Sequence, residues 1–168
     1  PGLDTVLIYP EAFTVELSEP DEYGFVHEGL DERAGESWQR GVVVISWQDA
    51  VREATRRDGY NVVLHEFAHQ LDGLSGEVDG IPPLPTAELH QRWRDAFQAA
   101  IDRHARSLRR RRELLFDEDA GESPGEFFAT AVELFFELPR DMKREFPAVR
   151  AVLAEYFELD PAVWPRRA

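Results

Sequence analysis

Apolar and polar positions divide the chain into a strand-forming beginning and a helix-forming remainder. Residues 5–9, Thr-Val-Leu-Ile-Tyr, are a short apolar run closed by Pro10, which predicts a strand. Residues 21–35 are acidic and carry glycine, with Phe25-Val26-His27 as a strand candidate inside them. The firmest strand pattern is residues 41–46, a β-branched run that opens on Gly41 and ends at Ser46. Ser46 then caps a helix running to about residue 57, with Asp49 three positions on in a capping-box arrangement. Asp58-Gly59 turns the chain into a second helix over residues 61–72, which Gly73 stops. A Gly- and Pro-rich loop fills 74–85, and a helix with a strongly charged end covers 86–112. After an acidic loop at 116–123, Ser123 at the N-cap and Pro124 at the first helical position open a helix that continues to residue 138. One or two further helices cover 140–157, and the tail at 161–165 reads as extended. A few strands followed by helices is an α+β pattern. There is no internal repeat and no low-complexity segment.

The helix at 61–72 carries candidate chemistry. It contains His65-Glu66-Phe67-Ala68-His69, an HExxH pattern. At about 3.6 residues per turn, His65 and His69 stack on one face, where both imidazoles can reach a single ion. Glu66 lies about 100° round the helix, where it can touch a water on that ion without binding the metal. HExxH alone fixes three letters and arises by chance on unrelated helices. Here, every other position from 62 to 71 is uncharged, as suits a helix buried under a metal site.

A peptidase zinc needs a third protein ligand and one position left for water. His90, His104, Asp72 and a downstream glutamate are the candidates. Asp72, three residues past His69, suits the turn or a hydrogen bond to a ligand histidine better than direct ligation. On the helix that Ser123 opens, Glu126, Thr130, Glu133 and Glu137 form one stripe amid bulky apolar residues. Such carboxylates want a partner. Glu126 also sits where it would complete a capping box, and Glu133 would equally serve in a salt bridge. Spacing leaves the choice between them open.

Composition narrows the classes. The 168 residues, 43% hydrophobic and 11% aromatic, are enough for a single domain, 1–168, with a real core. With no cysteine in the chain, disulfides, Cys-type zinc sites and thiol nucleophiles are excluded, so any metal is held by His and carboxylate. A net charge of −14 argues against nucleic-acid or anionic-membrane binding. No apolar run reaches the roughly 20 residues of a membrane span. The one basic cluster, Arg103-His104-Ala105-Arg106 with residues 109–112 all arginine, reads as the solvated end of a helix. Trp38 and Trp47 flank the 41–46 strand and are candidates for lining a substrate groove. The strand itself is a candidate edge for an extended peptide or, equally, an interior strand with no ligand role.

Three motifs in order carry a resemblance. Residues 65–72 (HEFAHQLD), 34–38 (AGESW) with 44–47 (VISW), and 126–129 (EFFA) with 133–136 (ELFF) together resemble the Mlc titration factor A family of bacterial cytosolic zinc peptidases. The likeness spans roughly residues 3–161. It implies a zincin-like fold of the small gluzincin type, one Zn2+ per chain held by His65, His69 and Glu126, and Glu66 as general base. It also implies a cytoplasmic, aminopeptidase-like enzyme, and a founding relative that binds the glucose repressor Mlc. Family members carry a helical segment before the part seen here, and this chain begins Pro1-Gly2, so a short form is expected. One departure stands out. The family pattern has a tyrosine seven residues before the third ligand, suited to stabilising an oxyanion, and this chain has Asp119 there.

The expected function is therefore zinc-dependent hydrolysis of peptide bonds by metal-activated water, with Glu66 moving the proton. The alternative is a weakly catalytic or non-catalytic zinc-containing protein that binds and titrates a transcriptional repressor of the Mlc type. Expected partners are a peptide substrate and that repressor, with neither nucleic acid nor membrane.

Overall fold

The computed structural model describes residues 3–20, 26–38, 41–111 and 115–165. Among these residues, five strands precede six helices: β1 (Thr5–Tyr9), β2 (Phe13–Pro20), β3 (Val26–Arg33), β4 (Gly35–Trp38), β5 (Val42–Ser46), α1 (Trp47–Ala54), α2 (Val62–Gly73), α3 (Ala87–Arg109), α4 (Pro124–Glu137), α5 (Pro139–Glu145) and α6 (Pro147–Tyr156). The α+β reading holds.

The β-branched run at 42–46 became the central strand of a three-stranded sheet ordered β1-β5-β4. β1 lies parallel to it, with Leu7 opposite Val44, and β4 lies antiparallel, with Gly35 opposite Ile45. Val43, Val44 and Ile45 are buried. Of the edge and interior readings open for residues 42–46, the structure takes the interior one: the outer strands are β1 and β4. β2 and β3 pair antiparallel as a separate two-stranded ribbon, Phe13 opposite Arg33. Of the expected strand at Phe25–His27, residues 26 and 27 begin β3, and Phe25 lies outside the described residues, as does Arg112 at the expected end of the long helix.

Helix ends follow the cap chemistry. Ser46 accepts from the Asp49 amide, Thr86 from Leu89 and Ser123 from Glu126, each side chain relieving one of the unpaired amides of a first turn. Pro139 and Pro147 each start a new helix, dividing the last helical stretch into α5 and α6. The tail expected to be extended instead makes a 3-10 turn at Pro161–Val163, capped by Asp160.

The apolar faces of α3, α4 and α6 enclose the core, where Trp93, Phe116, Phe127, Phe128, Phe135 and Leu153 are fully buried. Phe116 stacks on Phe127 with ring centroids 4.2 Å apart. In the basic cluster of α3, Arg103 bonds the Glu145 carbonyl and carboxylate and lies over the Phe146 ring, and His104 is buried, so these two are not simply a solvated helix end. With α4 anchored in the core, α2 packs against it: Ala68, Leu64 and Leu71 join the apolar cluster, while His65 and His69 meet Glu126 and Glu133. No helix among the described residues is long and apolar enough to cross a membrane.

Candidate metal centre

α2 begins on three carboxylates from two elements and on its own Asn cap. Asn61 caps it, its side chain accepting from the Leu64 amide at 3.1 Å. Glu53 from the end of α1 accepts from the Val62 amide at 2.6 Å. Glu133 from α4 accepts from the Asn61 amide at 2.5 Å, and Glu137, one turn on, accepts from the Asn61 side-chain amide at 3.1 Å. Carboxylates at a helix N-terminus meet both the unpaired amides and the positive end of the dipole. The stripe along α4 is thus partly a clamp on the start of α2.

The rest of the stripe meets the histidines. His65 Nε2 lies 3.2 Å from one Glu126 oxygen, and His69 Nε2 lies 3.2 Å from the other. The two Nε2 atoms are 3.1 Å apart. His65 Nδ1 faces Glu133 Oε1 at 2.8 Å. Because an ionised carboxylate only accepts, Nδ1 keeps its proton toward Glu133, so once the second proton departs the lone pair is on Nε2. That lone pair, the His69 nitrogen and the Glu126 carboxylate converge on one point, with their ligand atoms all within 4.8 Å of one another. Two nitrogens and a carboxylate, with open space beside them, are a donor set that fits a divalent cation.

Electrostatics agree. Burial opposes a proton on His65, yet hydrogen bonds to Glu126 and then Glu133 outweigh it and push its pKa up to about 10. Hydrogen bonds from His65 and His69 hold Glu126 well below the usual carboxylate range. The trio favours a positive charge at its centre, and a cation would replace that proton.

Glu66 points elsewhere. It is 7% exposed, and burial pushes its carboxyl up to about 7, against the pull of both histidines. Its side chain lies against Gly35 of β4, where an added Cβ would come within 2.7 Å of Glu66 Oε1 and 2.6 Å of Val62 Cγ2. Only glycine allows the outer strand to come this close to α2.

The other candidates go to other tasks. Asp72 is fully buried and accepts from the Gly80 amide at 2.8 Å, holding the loop after α2. His104 is buried between Phe116 and Phe127, and neither it nor His90 joins the ligand group. Glu126 does not turn back to complete a capping box but reaches the histidines, and Glu133 stands behind His65 rather than in a bridge to arginine. Asp119 sits in a 3-10 turn at Asp119–Gly121 and lines the same cavity of about 280 Å3 as His65 and Glu126.

Tyr60 and Asp117 also line this cavity, and sequence reasoning assigned neither a role. Burial and a hydrogen bond to Asp117 push the Tyr60 phenol up to about 12. Nothing local signals a bond across 57 positions. Asn61 had a usable signal, since an Asn directly before an apolar helical run is an N-cap. The side chain of Trp38 lies outside the described residues, and Trp47 is 59% exposed at the start of α1.

Residues 1–158 match the model of a family described as glucose-regulated metallo-peptidase M90. The chain belongs to the metallo-peptidase M90 family. An uncharacterized protein of Synechocystis sp. is 37% identical over 166 residues, covering 97% of this chain and 60% of that protein. Mlc titration factor A of Edwardsiella ictaluri is 36% identical over 167 residues (95% and 62%), and that of Serratia proteamaculans 32% over 163 residues (95% and 62%). The chain therefore spans about three fifths of the length of these M90 relatives, and its match covers both helices that build the centre.

Proposed function

We propose that these 168 residues form one zincin-like metallopeptidase unit that hydrolyses peptide bonds, with Zn2+ held by His65, His69 and Glu126. The observation that carries this reading is the convergence of those three donors beside a buried glutamate that joins none of them. Zinc there would supply Lewis acidity, polarising the scissile carbonyl and acidifying water. Glu66, poised near neutrality by burial, takes the proton of the attacking water and gives it to the leaving nitrogen. Glu133 holds the Nδ1 proton of His65 and so fixes which nitrogen faces the ion. β4 is an outer strand and touches Glu66 through Gly35, which supports an extended peptide lying along it. Under this reading the protein works in the cytoplasm, on peptides with a free amino terminus.

Glu66→Gln is expected to retain zinc and lose about 10²–10⁴-fold in turnover. Full turnover in that variant would remove Glu66 from the reaction.

A second reading draws on the names of the relatives. Proteins called Mlc titration factor A match across most of this chain, which supports binding of a repressor of the Mlc type without catalysis. Repressor binding by Glu66→Gln, with no peptide cleaved by the wild type, would favour it.

A further inference from the structure

We propose that Tyr60 donates the hydrogen bond that stabilises the carbonyl oxygen of the substrate as water attacks, a role that rests on the hydrolytic reading above. As the tetrahedral centre forms, charge gathers on that oxygen, and a neutral donor already in place lowers the barrier. The cavity is poor in such donors. Glu53, Asp117, Asp119, Glu126 and Glu133 line it, with neither lysine nor arginine among its described lining residues, and ionised carboxylates repel an oxyanion. The Asn61 side-chain amide is committed to Glu137, and the His65 Nδ1 proton to Glu133. Thr130 is buried in α4. Tyr60 remains, 53% exposed and reachable from solvent.

Its backbone is fixed on both sides. Gly59 adopts φ +100 and packs on Leu134 and Leu138, and the Asn61 amide is held by Glu133. The Tyr60 amide itself bonds Asp58 at 3.3 Å. The phenol thus stands on a pinned turn five residues before His65. Its hydroxyl is hydrogen-bonded to Asp117, whose carboxylate is in turn tied to the Ala120 amide at 2.9 Å. Rotation about the C–O bond is enough to move the hydroxyl proton from Asp117 to a substrate oxygen. With a pKa near 12, the hydroxyl keeps that proton at any pH where a peptidase works.

The test compares zinc-loaded wild type with Tyr60→Phe. Three quantities are read: metal content, steady-state hydrolysis of a fluorogenic peptide, and affinity for a phosphinic peptide whose tetrahedral P–O⁻ mimics the attacked carbonyl. Tyr60→Phe is expected to keep its zinc, to lose about 10–100-fold in kcat with KM little changed, and to bind the phosphinic peptide weaker by a similar factor. Turnover and phosphinate affinity both within twofold of wild type would overturn the proposal. If wild type cleaves nothing and Glu66→Gln matches it, the hydrolytic reading fails. The phosphinate comparison then still decides Tyr60, because unchanged affinity refutes the donor.

Discussion

Glu126 and Glu133 stand two turns apart on α4 and both contact His65, but they should fail differently when changed. Glu133→Gln is the sharper perturbation because it keeps shape and one acceptor. In the wild type, one oxygen accepts from the Asn61 amide at 2.5 Å and the other holds His65 Nδ1 at 2.8 Å, in a side chain 6% exposed. The amide oxygen of glutamine can serve only one of these at full strength, and it carries no charge. Loss of a carboxylate behind a ligand histidine costs about 10–100-fold in metal affinity, equivalent to about 1.4–2.8 kcal/mol. Glu133→Ala would also leave the Asn61 amide unpaired near the start of α2, costing a further ~1–3 kcal/mol of stability in the metal-free protein. Glu126→Ala removes a donor outright, and its affinity loss should exceed that of either Glu133 variant. Competition against a zinc chelator at pH 7.5 gives the affinities, and urea unfolding of the metal-free forms gives the stabilities. Wild-type affinity in Glu133→Gln, or greater zinc loss there than in Glu126→Ala, would refute the division of labour between the two glutamates.

Other consequences are as direct. His104 is 2% exposed among aromatic rings, and burial lowers its pKa from 6.5 against the opposing pull of Asp117 and the Glu118 backbone. The unfolded chain therefore takes up a proton that the folded chain refuses, and stability contributed by this residue falls as pH drops below about 6.5. His104→Leu should flatten that part of the difference in urea midpoint between pH 8 and pH 5; an unchanged slope would assign it to other groups. Gly35→Ala inserts a methyl group into contacts of 2.6–2.7 Å and should destabilise by about 1–3 kcal/mol in urea unfolding while lowering turnover. An unperturbed Gly35→Ala protein would mean that β4 has room to move away from α2.

The parts of the fold that the sequence revealed were those governed by neighbours in the chain. The caps at Ser46 and Ser123 each act three residues away, and the HExxH spacing acts within one turn. β5 was readable because a strand buried on both faces is apolar throughout. The ribbon of β2 and β3 was not, since Glu16, Glu19, Glu28, Asp31 and Glu32 interrupt any apolar run. That β5 is central rather than an edge depends on which strands flank it, and periodicity does not encode this. The choice between Glu126 and Glu133 was equally beyond spacing. Both lie on one helical face, and what separates them is which nitrogen of His65 each one meets.

Glu133 grips the beginning of α2 with one oxygen and holds Nδ1 of the candidate ligand His65 with the other. Under the hydrolytic reading, scaffold and chemistry are fused in that side chain, so a descendant that abandoned hydrolysis would still need it to keep its helix in place. Its survival in such a lineage would testify only to architecture. Glu66, which rests against a glycine rather than holding any helix end, is the residue whose loss would announce retirement from catalysis.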